Sequence, residues 1–363
     1  MKDYDLAVIG AGIAGCMTAY YAKKIGLKVA IIDKASMPAT GGSGAAGAFI
    51  SPKLGKETPL LNLTNLAFKY AVDFYKNNFN QYFHNSGIIR LPRDIKDAKN
   101  FEYYQNIIDI PSQILNKKEL EKLHIINEDI ALFFKDGGVC DAQNLTKALI
   151  KDIRYIQAEI TNLDNLPIKA KKVVLATGYE GFKGLEYMGI NGLWGSRGDF
   201  FTDTKLDISM HKTISISATK EGVIKIGATH LRAKNPTNAC MQCNGKPLDE
   251  LIYKAKKFAN INNLELKETF CGMRAGSKDY IPLVGKVIDI EYMLNSYPKL
   301  KKGYNKAPLK YIENLYVING LGGRGFVLAP LMAKWLIDSI FLNETKDLLV
   351  NPDRLFLKWV RKL

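Results

Sequence analysis

Three glycines near the N-terminus, spaced as Gly10-x-Gly12-x-x-Gly15, constrain the fold of this chain more than any other feature. The apolar run over 4–10 predicts a short buried strand before them, and the pattern over 13–25 predicts a helix after them. A strand that turns directly into a helix leaves the first helical N–H groups free, and the helix dipole adds partial positive charge there. We therefore expect this turn to bind the phosphates of a dinucleotide.

Each glycine has its own expected role, and an acid further along the chain narrows the ligand. Gly10 permits the tight turn, Gly12 lets a pyrophosphate approach the backbone, and Gly15 lets helix and strand pack closely. A second buried strand over 28–33 ends in Asp33, 18 residues beyond Gly15. An acid at this position accepts hydrogen bonds from ribose hydroxyls and repels a 2′-phosphate. The segment thus predicts a dinucleotide with free ribose hydroxyls, which both NAD and FAD provide.

Two further glycine-rich segments favour FAD over NAD. Residues 176–178 (Ala-Thr-Gly) close a buried strand in the middle of the chain, and residues 320–325 (Gly-Leu-Gly-Gly-Arg-Gly) separate the last buried strand from the last long apolar helix. A second helix N-terminus at this place would face the pyrimidine edge of a flavin. It would stabilise the negative charge that the ring gains on reduction.

Strand patterns divide the chain into two parts. Buried apolar strands at the start, middle and end predict a parallel sheet with helices on both faces, whereas the alternating patterns over 213–217 and 223–227 predict an antiparallel sheet. We therefore expect an α/β fold with a discontinuous Rossmann-like FAD-binding domain and a second, substrate-binding domain that contains a mixed or antiparallel sheet. The expected FAD-binding domain comprises 1–77, 136–193 and 311–363, and the expected substrate-binding domain comprises 78–135 and 194–310.

The charge balance allows two explanations. The formal net charge is +15, from 51 Lys and Arg residues against 36 Asp and Glu residues. A surplus of this size indicates a polyanionic partner such as nucleic acid. Heavy use of Lys in a chain that is also rich in Ile and Asn explains the same number without any partner. Charge alone leaves both explanations open.

Cysteine usage and apolar patterning favour a cytoplasmic protein. The five cysteines are odd in number and the chain carries no secretion signal, so we expect no disulfide framework. No run of about 18 apolar residues occurs, so we expect no membrane span. Cys240 and Cys243, in a Cys-Met-Gln-Cys sequence, have no second Cys or His pair nearby, and we expect no metal site and no reactive dithiol.

Several segments, in the right order, resemble the D-amino-acid oxidase/glycine oxidase superfamily of FAD enzymes. Within it, the chain is similar to the FAD-dependent oxidoreductase half of the bifunctional enzymes that make 5-methylaminomethyl-2-thiouridine in tRNA, without their methyltransferase domain. The loop Ala45-Ala46-Gly47 departs from the pattern because it lacks larger polar side chains. The segments that carry the resemblance are Ser43-Gly44 with Pro52, the helix over 65–75, 137–141 before a helix, Gly272-Met273-Arg274, 279–285, and 320–325 with 329–331.

The resemblance implies a cofactor and a set of residues that hold it. FAD is expected to bind non-covalently, because Cys271 is offset by one position from the place where some superfamily members attach it. The expected cofactor-binding residues are Gly10, Gly12, Ile13, Ala14, Gly15, Asp33, Lys34, Ser43, Gly44, Ala45, Ala176, Thr177, Gly178, Gly320, Gly322, Gly323, Arg324, Gly325 and Phe326.

Arg274 and Arg324 are the expected catalytic residues. In the superfamily an Arg after Gly-Met clamps the substrate carboxylate, and a planar guanidinium suits bidentate binding of such a group. The alternative for Arg274 is a structural ion pair with Asp279. Arg324 is a second carboxylate candidate or a flavin contact, and its alternative is an arginine at the surface end of a helix.

The resemblance also implies a reaction and partners. It is FAD-dependent oxidation of the secondary amine of 5-carboxymethylaminomethyl-(2-thio)uridine at the tRNA wobble position, which releases glyoxylate and leaves 5-aminomethyl-(2-thio)uridine. The expected partners are tRNA and, as candidates, a separate methyltransferase and dioxygen as electron acceptor. Two alternatives stay open: a small-molecule amine or amino-acid oxidase of the glycine or sarcosine oxidase type, and a non-catalytic flavin- or tRNA-binding module.

Overall fold

The computed structural model describes residues 3–232, 243–344 and 347–363. Its strands, in chain order, are β1 (Asp3–Ile9), β2 (Val29–Asp33), β3 (Phe49–Ile50), β4 (Phe83–His84), β5 (Ile88–Arg90), β6 (Gln113–Asn116), β7 (Ile130–Phe134), β8 (Gly138–Cys140), β9 (Arg154–Gln157), β10 (Lys169–Leu175), β11 (Asn191–Phe201), β12 (Ser209–His211), β13 (Ser215–Ile216), β14 (Val223–Gly227), β15 (Glu265–Gly276), β16 (Leu283–Ile288) and β17 (Tyr311–Asn319). Its α-helices are α1 (Ile13–Lys24), α2 (Pro59–Asn78), α3 (Ile95–Ala98), α4 (Phe101–Ile107), α5 (Lys117–Lys122), α6 (Ala142–Leu149), α7 (Lys246–Lys256), α8 (Ile290–Ser296), α9 (Gly325–Ile337) and α10 (Phe356–Val360).

The first of the two large sheets has six strands in the order β16-β17-β10-β1-β2-β9. Its pairs are parallel, except that β16 runs antiparallel to β17 at the edge. Alternate residues of β10 face opposite cores: Val174 packs with the cluster that contains α1, α2 and α9, and Leu175 packs with the cluster that contains α10. Both faces are therefore covered, as the apolar strand patterns predicted.

The second large sheet has eight strands in the order β15-β11-β14-β13-β12-β5-β7-β6. It is mixed, because β12 pairs with β5 in parallel while the other neighbours are antiparallel. Helix α7 packs against β11 and β14 and buries Leu251 in the same core cluster as Ile226 and Phe200. The predicted α/β class, with a parallel sheet and a second, mixed sheet, is confirmed.

The predicted domain boundaries stay a prediction. The edge strand β16 falls within the range predicted for the substrate-binding domain, and it belongs to the six-stranded sheet. A third, small sheet in the order β3-β8-β4 joins segments from both predicted domains.

Among the described residues, one helical stretch, Gly322–Leu342, is long and apolar enough to cross a membrane, with a mean hydropathy of 1.6. The sequence predicted a long apolar helix here but no membrane span, because Arg324, Lys334 and Asp338 interrupt the apolar run. Two thirds of its most apolar window is buried inside the protein (67%). Its first part, α9, packs against α1 and α2, so the same apolar surface forms part of the core.

A bidentate ion pair ties the C-terminal segment to the turn between β15 and β16. Arg354 donates from Nε to Asp279 Oδ2 at 2.8 Å and from Nη2 to Asp279 Oδ1 at 3.0 Å, and Nη2 also donates to the Ile281 carbonyl oxygen at 2.7 Å. The alternative reading of Arg274 as the partner of Asp279 is therefore wrong. The true partner lies 75 residues further along the chain from Asp279, where sequence spacing gave no indication of it.

We expect Arg354→Met to lower the free energy of unfolding by about 2 kcal/mol at pH 7, because Asp279 would keep its charge without its partner. Burial alone would raise the pKa of Asp279, but the Arg354 hydrogen bonds outweigh it, and the pKa lies below its usual value of 3.8. The stabilisation is therefore present above pH 3.8 and lost as the pH falls through the lowered pKa. Urea unfolding at pH 7 and at lower pH measures it. An equal difference between wild type and variant at all pH values would contradict the ion-pair explanation.

Candidate active site

In the N-terminal glycine turn the backbones of three segments, around Gly10, Gly15 and Ala176, lie in close contact. Gly10 has φ +104°, and a Cβ there would overlap the carbonyl oxygen of Ala176. A Cβ at Gly15 would overlap the carbonyl oxygen of Gly10. Glycine at these two positions therefore lets α1 start directly over the carboxyl ends of β1 and β10. The turn and the Ala176–Gly178 segment, which the sequence linked only by composition, are neighbours.

Asp33 stands at the end of β2 and braces the same turn. Its Oδ2 accepts a hydrogen bond from the Ala11 N–H at 2.6 Å, and its Oδ1 accepts one from Ala35 N–H at 2.9 Å. The sequence predicted a ribose acceptor at this position and gave no sign of the backbone contact. A carboxylate has about four acceptor sites, so both uses are compatible.

The Ser43 loop crosses over the start of α1. Ser43 Oγ accepts from the Ile13 N–H at 2.9 Å, which satisfies one of the free amides at the helix N-terminus. On its other side the loop packs against β15, since a Cβ at Gly272 would lie 3.1 Å from the Cα of Gly42. Arg197 donates a hydrogen bond to the Ala46 carbonyl oxygen from below. The loop is thereby held between the two sheets.

One cavity of about 1530 Å³ runs along these elements. Pockets for a single ligand occupy about 300–1,000 Å³, so this one has room for a dinucleotide and a second molecule. The predicted residues that line it are Gly10, Gly12, Ile13, Ala14, Asp33, Lys34, Ser43, Ala176, Thr177, Gly178, Arg274, Gly322, Gly323, Arg324, Gly325 and Phe326. The predicted residues that do not line it are Gly15, Gly44, Ala45 and Gly320.

Arg274 projects from β15 into this cavity. Its Nη1 donates to the Thr229 carbonyl oxygen at 3.2 Å, and over the described residues it forms no ion pair with a carboxylate. A Cβ at Gly195 would overlap the guanidinium, so a glycine on the neighbouring strand β11 makes room for it. Burial lowers the pKa of Arg274. A guanidinium that is largely shielded from water and has no carboxylate partner costs free energy, and an anionic ligand that pairs with it would offset this cost.

Arg324 lies at the start of α9 and is half-buried in the cavity wall rather than exposed, so the alternative reading as a surface arginine is wrong. Its Nη1 donates to the Ser51 carbonyl oxygen at 2.9 Å. Burial lowers the pKa of Arg324 to about 10. Phe326, two residues on, is 3% exposed and packs in the core, and its carbonyl oxygen accepts from the Tyr75 hydroxyl at 2.7 Å.

The cysteines differ from expectation. Cys243 forms a disulfide with Cys271, with Cα atoms 5.4 Å apart, whereas no disulfide was predicted. The partners are 28 residues apart in sequence, and only the position of β15 brings them together. Cys240 lies outside the described residues. Within the described ranges no group of three or more His, Cys, Asp and Glu side chains could hold a metal ion.

Comparison with known proteins now identifies the family. Residues 5–339 match the model of the DAO family, described as FAD dependent oxidoreductase. The chain belongs to this family. It is similar to glycine oxidase from Bacillus cereus, with a TM-score of 0.77 and 20% identity over 95% of this chain and 97% of that one. It is also similar to iminodiacetate oxidase from a Chelativorans species, with a TM-score of 0.74 and 16% identity over 94% and 96% of the two chains.

Curated relatives of this chain are longer than it is. The tRNA 5-methylaminomethyl-2-thiouridine biosynthesis bifunctional protein MnmC of Shewanella amazonensis is 24% identical over 100% of this chain and 60% of its own length. The MnmC protein of Legionella pneumophila strain Philadelphia 1 is 25% identical over 98% and 56%. The chain thus spans less than two thirds of the length of these relatives.

The residues of the cavity fit the FAD of the family. The glycine turn offers free helix amides to a pyrophosphate, and Asp33 offers an acceptor to ribose. The Thr177 hydroxyl lines the cavity and is buried without a hydrogen-bond partner among the described residues. An unpaired buried hydroxyl is costly, and a ligand atom would satisfy it. The chain is an FAD-dependent oxidoreductase, and these residues are the ones that would hold its cofactor.

We expect Asp33→Ala to raise the Kd for FAD about 10–100-fold, because a charge-assisted hydrogen bond is lost and the turn loosens. Titration of the apoprotein with FAD, followed by quenching of flavin fluorescence, measures it. The control is Asp5→Ala, since Asp5 also accepts a backbone amide, from Lys28 at 2.9 Å, at the amino end of the sheet. Equal loss of FAD affinity in both variants would show a general effect on the fold instead.

Proposed function

We propose that this protein oxidises the CH–NH bond of an amine that carries a carboxylate, and that its substrate is 5-carboxymethylaminomethyl-(2-thio)uridine at the wobble position of tRNA. The observation that carries the proposal is Arg274: a half-buried guanidinium, without a carboxylate partner in the described part of the chain, in the same cavity as the dinucleotide turn. We propose further that FAD is bound non-covalently, because the sulfur of Cys271 is engaged with Cys243.

Similarity supports the tRNA substrate. The MnmC relatives align with the whole chain, and their names state a role in tRNA 5-methylaminomethyl-2-thiouridine biosynthesis. The net charge of +15 has a use on a protein that binds a polyanion and none on an oxidase of free amino acids. This proposal includes a cytoplasmic location, a separate methyltransferase that acts on the product, and dioxygen as the electron acceptor.

The proposed chemistry balances with one water molecule. A hydride leaves the glycine-like CH₂ carbon while the nitrogen lone pair forms a C=N bond, which gives an iminium ion. Water then adds to the iminium carbon, and the C–N bond breaks to give glyoxylate and the 5-aminomethyl nucleoside as its ammonium form. FAD supplies the two-electron acceptor when it is bound. Arg274 orients the carbon by holding the adjacent carboxylate, and a positioned substrate needs less entropy loss in the reaction step. The cavity wall favours the neutral amine, which is the reactive form, by limiting its contact with water.

A small-molecule amine oxidase is the second candidate. It is favoured by the same Arg274, which would clamp the carboxylate of glycine or sarcosine equally well, and by the similarity to glycine oxidase from Bacillus cereus. The two candidates differ in the group attached to the carboxymethylamine of the substrate. A small-molecule oxidase would accept the amine alone, whereas the tRNA-modifying enzyme would accept it attached to a nucleotide within an RNA.

We expect tRNA that carries the carboxymethylaminomethyl group to bleach the flavin of the holoprotein under anaerobic conditions, because its amine reaches the cavity. Glyoxylate and 5-aminomethyl-(2-thio)uridine should appear in equal amounts in nucleoside chromatography, and glycine and sarcosine should react far more slowly. If glycine or sarcosine reduces the flavin and this tRNA does not, the tRNA proposal is wrong. Failure of every amine to reduce the flavin would instead favour a non-catalytic binding module.

We expect Arg274→Ala to raise KM about 30–1,000-fold, with a smaller effect on kcat, because loss of a buried charge partner costs about 2–4 kcal/mol. Arg274→Lys should have a KM between those of wild type and Arg274→Ala, since it keeps the positive charge and loses the bidentate guanidinium. Steady-state kinetics with the modified tRNA measure both, and Arg361→Ala, an exposed arginine near the C-terminus, is the control. An unchanged KM in Arg274→Ala would remove this residue from the substrate site.

A further inference from the structure

We propose that Lys53, Arg90 and Arg93 form a second anion-binding subsite in the cavity, and that it holds a phosphate group of the substrate nucleotide. The proposal rests on the proposed function, because it assigns a part of the cavity that a small amine would leave unfilled. All three side chains line the same cavity as Arg274. No sequence motif indicated them.

The backbone of Lys53 is held by hydrogen bonds, whereas its side-chain ammonium has no partner among the described residues. Its N–H donates to Asn65 Oδ1 at 2.8 Å, and its carbonyl oxygen accepts from Asn65 Nδ2 at 3.1 Å. Over the described residues its ammonium forms no hydrogen bond or ion pair. Burial lowers the pKa of Lys53, and the charges of the neighbouring arginines lower it further. A half-buried ammonium held in this way is poised for an anion.

Arg90, at the end of β5, lies beside it. Its Nη1 donates to Ser51 Oγ and to the Pro52 carbonyl oxygen, each at 2.9 Å, while its Nε is buried without a hydrogen-bond partner in the described structure. Burial lowers the pKa of Arg90 to about 9, and the charge of Arg324 contributes to the shift. Two guanidinium groups thus meet at Ser51, since Arg324 donates to its carbonyl oxygen.

Arg93 adds a fourth positive charge on the more exposed side. It donates to Asp97 from Nε at 3.1 Å and from Nη2 at 2.9 Å, and its side chain is 65% exposed. Asp97 is the carboxylate that counters the cluster. Four cations, with Arg324 included, therefore face one carboxylate, which leaves a surplus of three positive charges.

A phosphate is the anion that this cluster fits best. The FAD pyrophosphate belongs at the N-terminus of α1, and the substrate carboxylate belongs at Arg274, so neither is available for Lys53. Guanidinium and ammonium groups are the usual partners of phosphate, and their mutual repulsion is relieved when one binds. A wobble nucleotide brings a phosphodiester on each side of its ribose, and a flipped nucleotide carries it into the pocket.

A structural role covers only part of the cluster. Arg90 and Arg324 both hold the Ser51–Pro52 segment by hydrogen bonds. Over the described residues the Lys53 side chain holds no segment, and the Arg93 guanidinium bonds to Asp97, four residues along the chain in α3. These two residues are therefore the ones to change in a test.

The test uses the FAD-loaded protein with 5-carboxymethylaminomethyluridine as the free nucleoside and as its 3′,5′-bisphosphate. In wild type the bisphosphate should have the lower KM. In Lys53→Gln and Arg93→Gln the ratio of the two KM values should shrink roughly 10-fold, as expected for one charge-assisted hydrogen bond. With an anticodon stem-loop RNA, log affinity falls as log salt concentration rises. This negative slope should become shallower by about 0.7 for each phosphate that the variant no longer binds. Lys171→Gln, a lysine paired with Asp5 at the far end of the sheet, should keep the wild-type ratio and slope.

An unchanged KM ratio in both variants would overturn the proposal, and so would a loss of FAD affinity that accounts for the whole effect. If wild type oxidises neither compound, the proposed function fails on its own. Binding of the bisphosphate, read from the perturbed flavin absorbance, then decides the subsite separately: binding that weakens in the two variants supports it, and binding that does not weaken contradicts it.

Discussion

The contact between Gly10, Gly15 and Ala176 is the constraint on which the rest of the structure depends. It exists only because neither glycine carries a Cβ, and it places the N-terminus of α1 over the carboxyl ends of β1 and β10. From there α1 packs on α9, whose own N-terminus carries Arg324 into the cavity. This contact sets the start of α1, where a bound dinucleotide would find free backbone amides.

Unbalanced positive charge is the second organising feature of the cavity. Arg274, Arg324 and Lys53 make no ion pair with a carboxylate over the described residues, although each is half-buried or more. Buried cations without partners cost free energy in the unliganded protein. Binding of anionic groups would recover that cost, so the arrangement that lowers stability would favour a ligand with several negative charges.

Sequence patterns predicted those parts of the site that local geometry dictates. The glycine turn, Asp33 and the 320–325 segment each sit where a strand ends and a helix begins, and such junctions leave a readable spacing. Features that depend on distant strands left no such trace. Gly195 makes room for Arg274 from the neighbouring strand, Asp279 pairs with Arg354 across the fold, and Lys53 meets Arg90 only because β5 lies beside the Ser51–Pro52 segment. The resemblance to a family indicated Arg274, but its freedom from Asp279 required the structure.

A crystal structure of the FAD complex with a non-reactive carboxylate analogue of the substrate tests the central claim most directly. The account predicts that the analogue's carboxylate receives a bidentate hydrogen bond from the Arg274 guanidinium, with donor–acceptor distances of about 2.7–2.9 Å, and that its reacting carbon lies against the flavin. A carboxylate bound at Lys53 and Arg90, with Arg274 left on the Thr229 carbonyl oxygen, would contradict it.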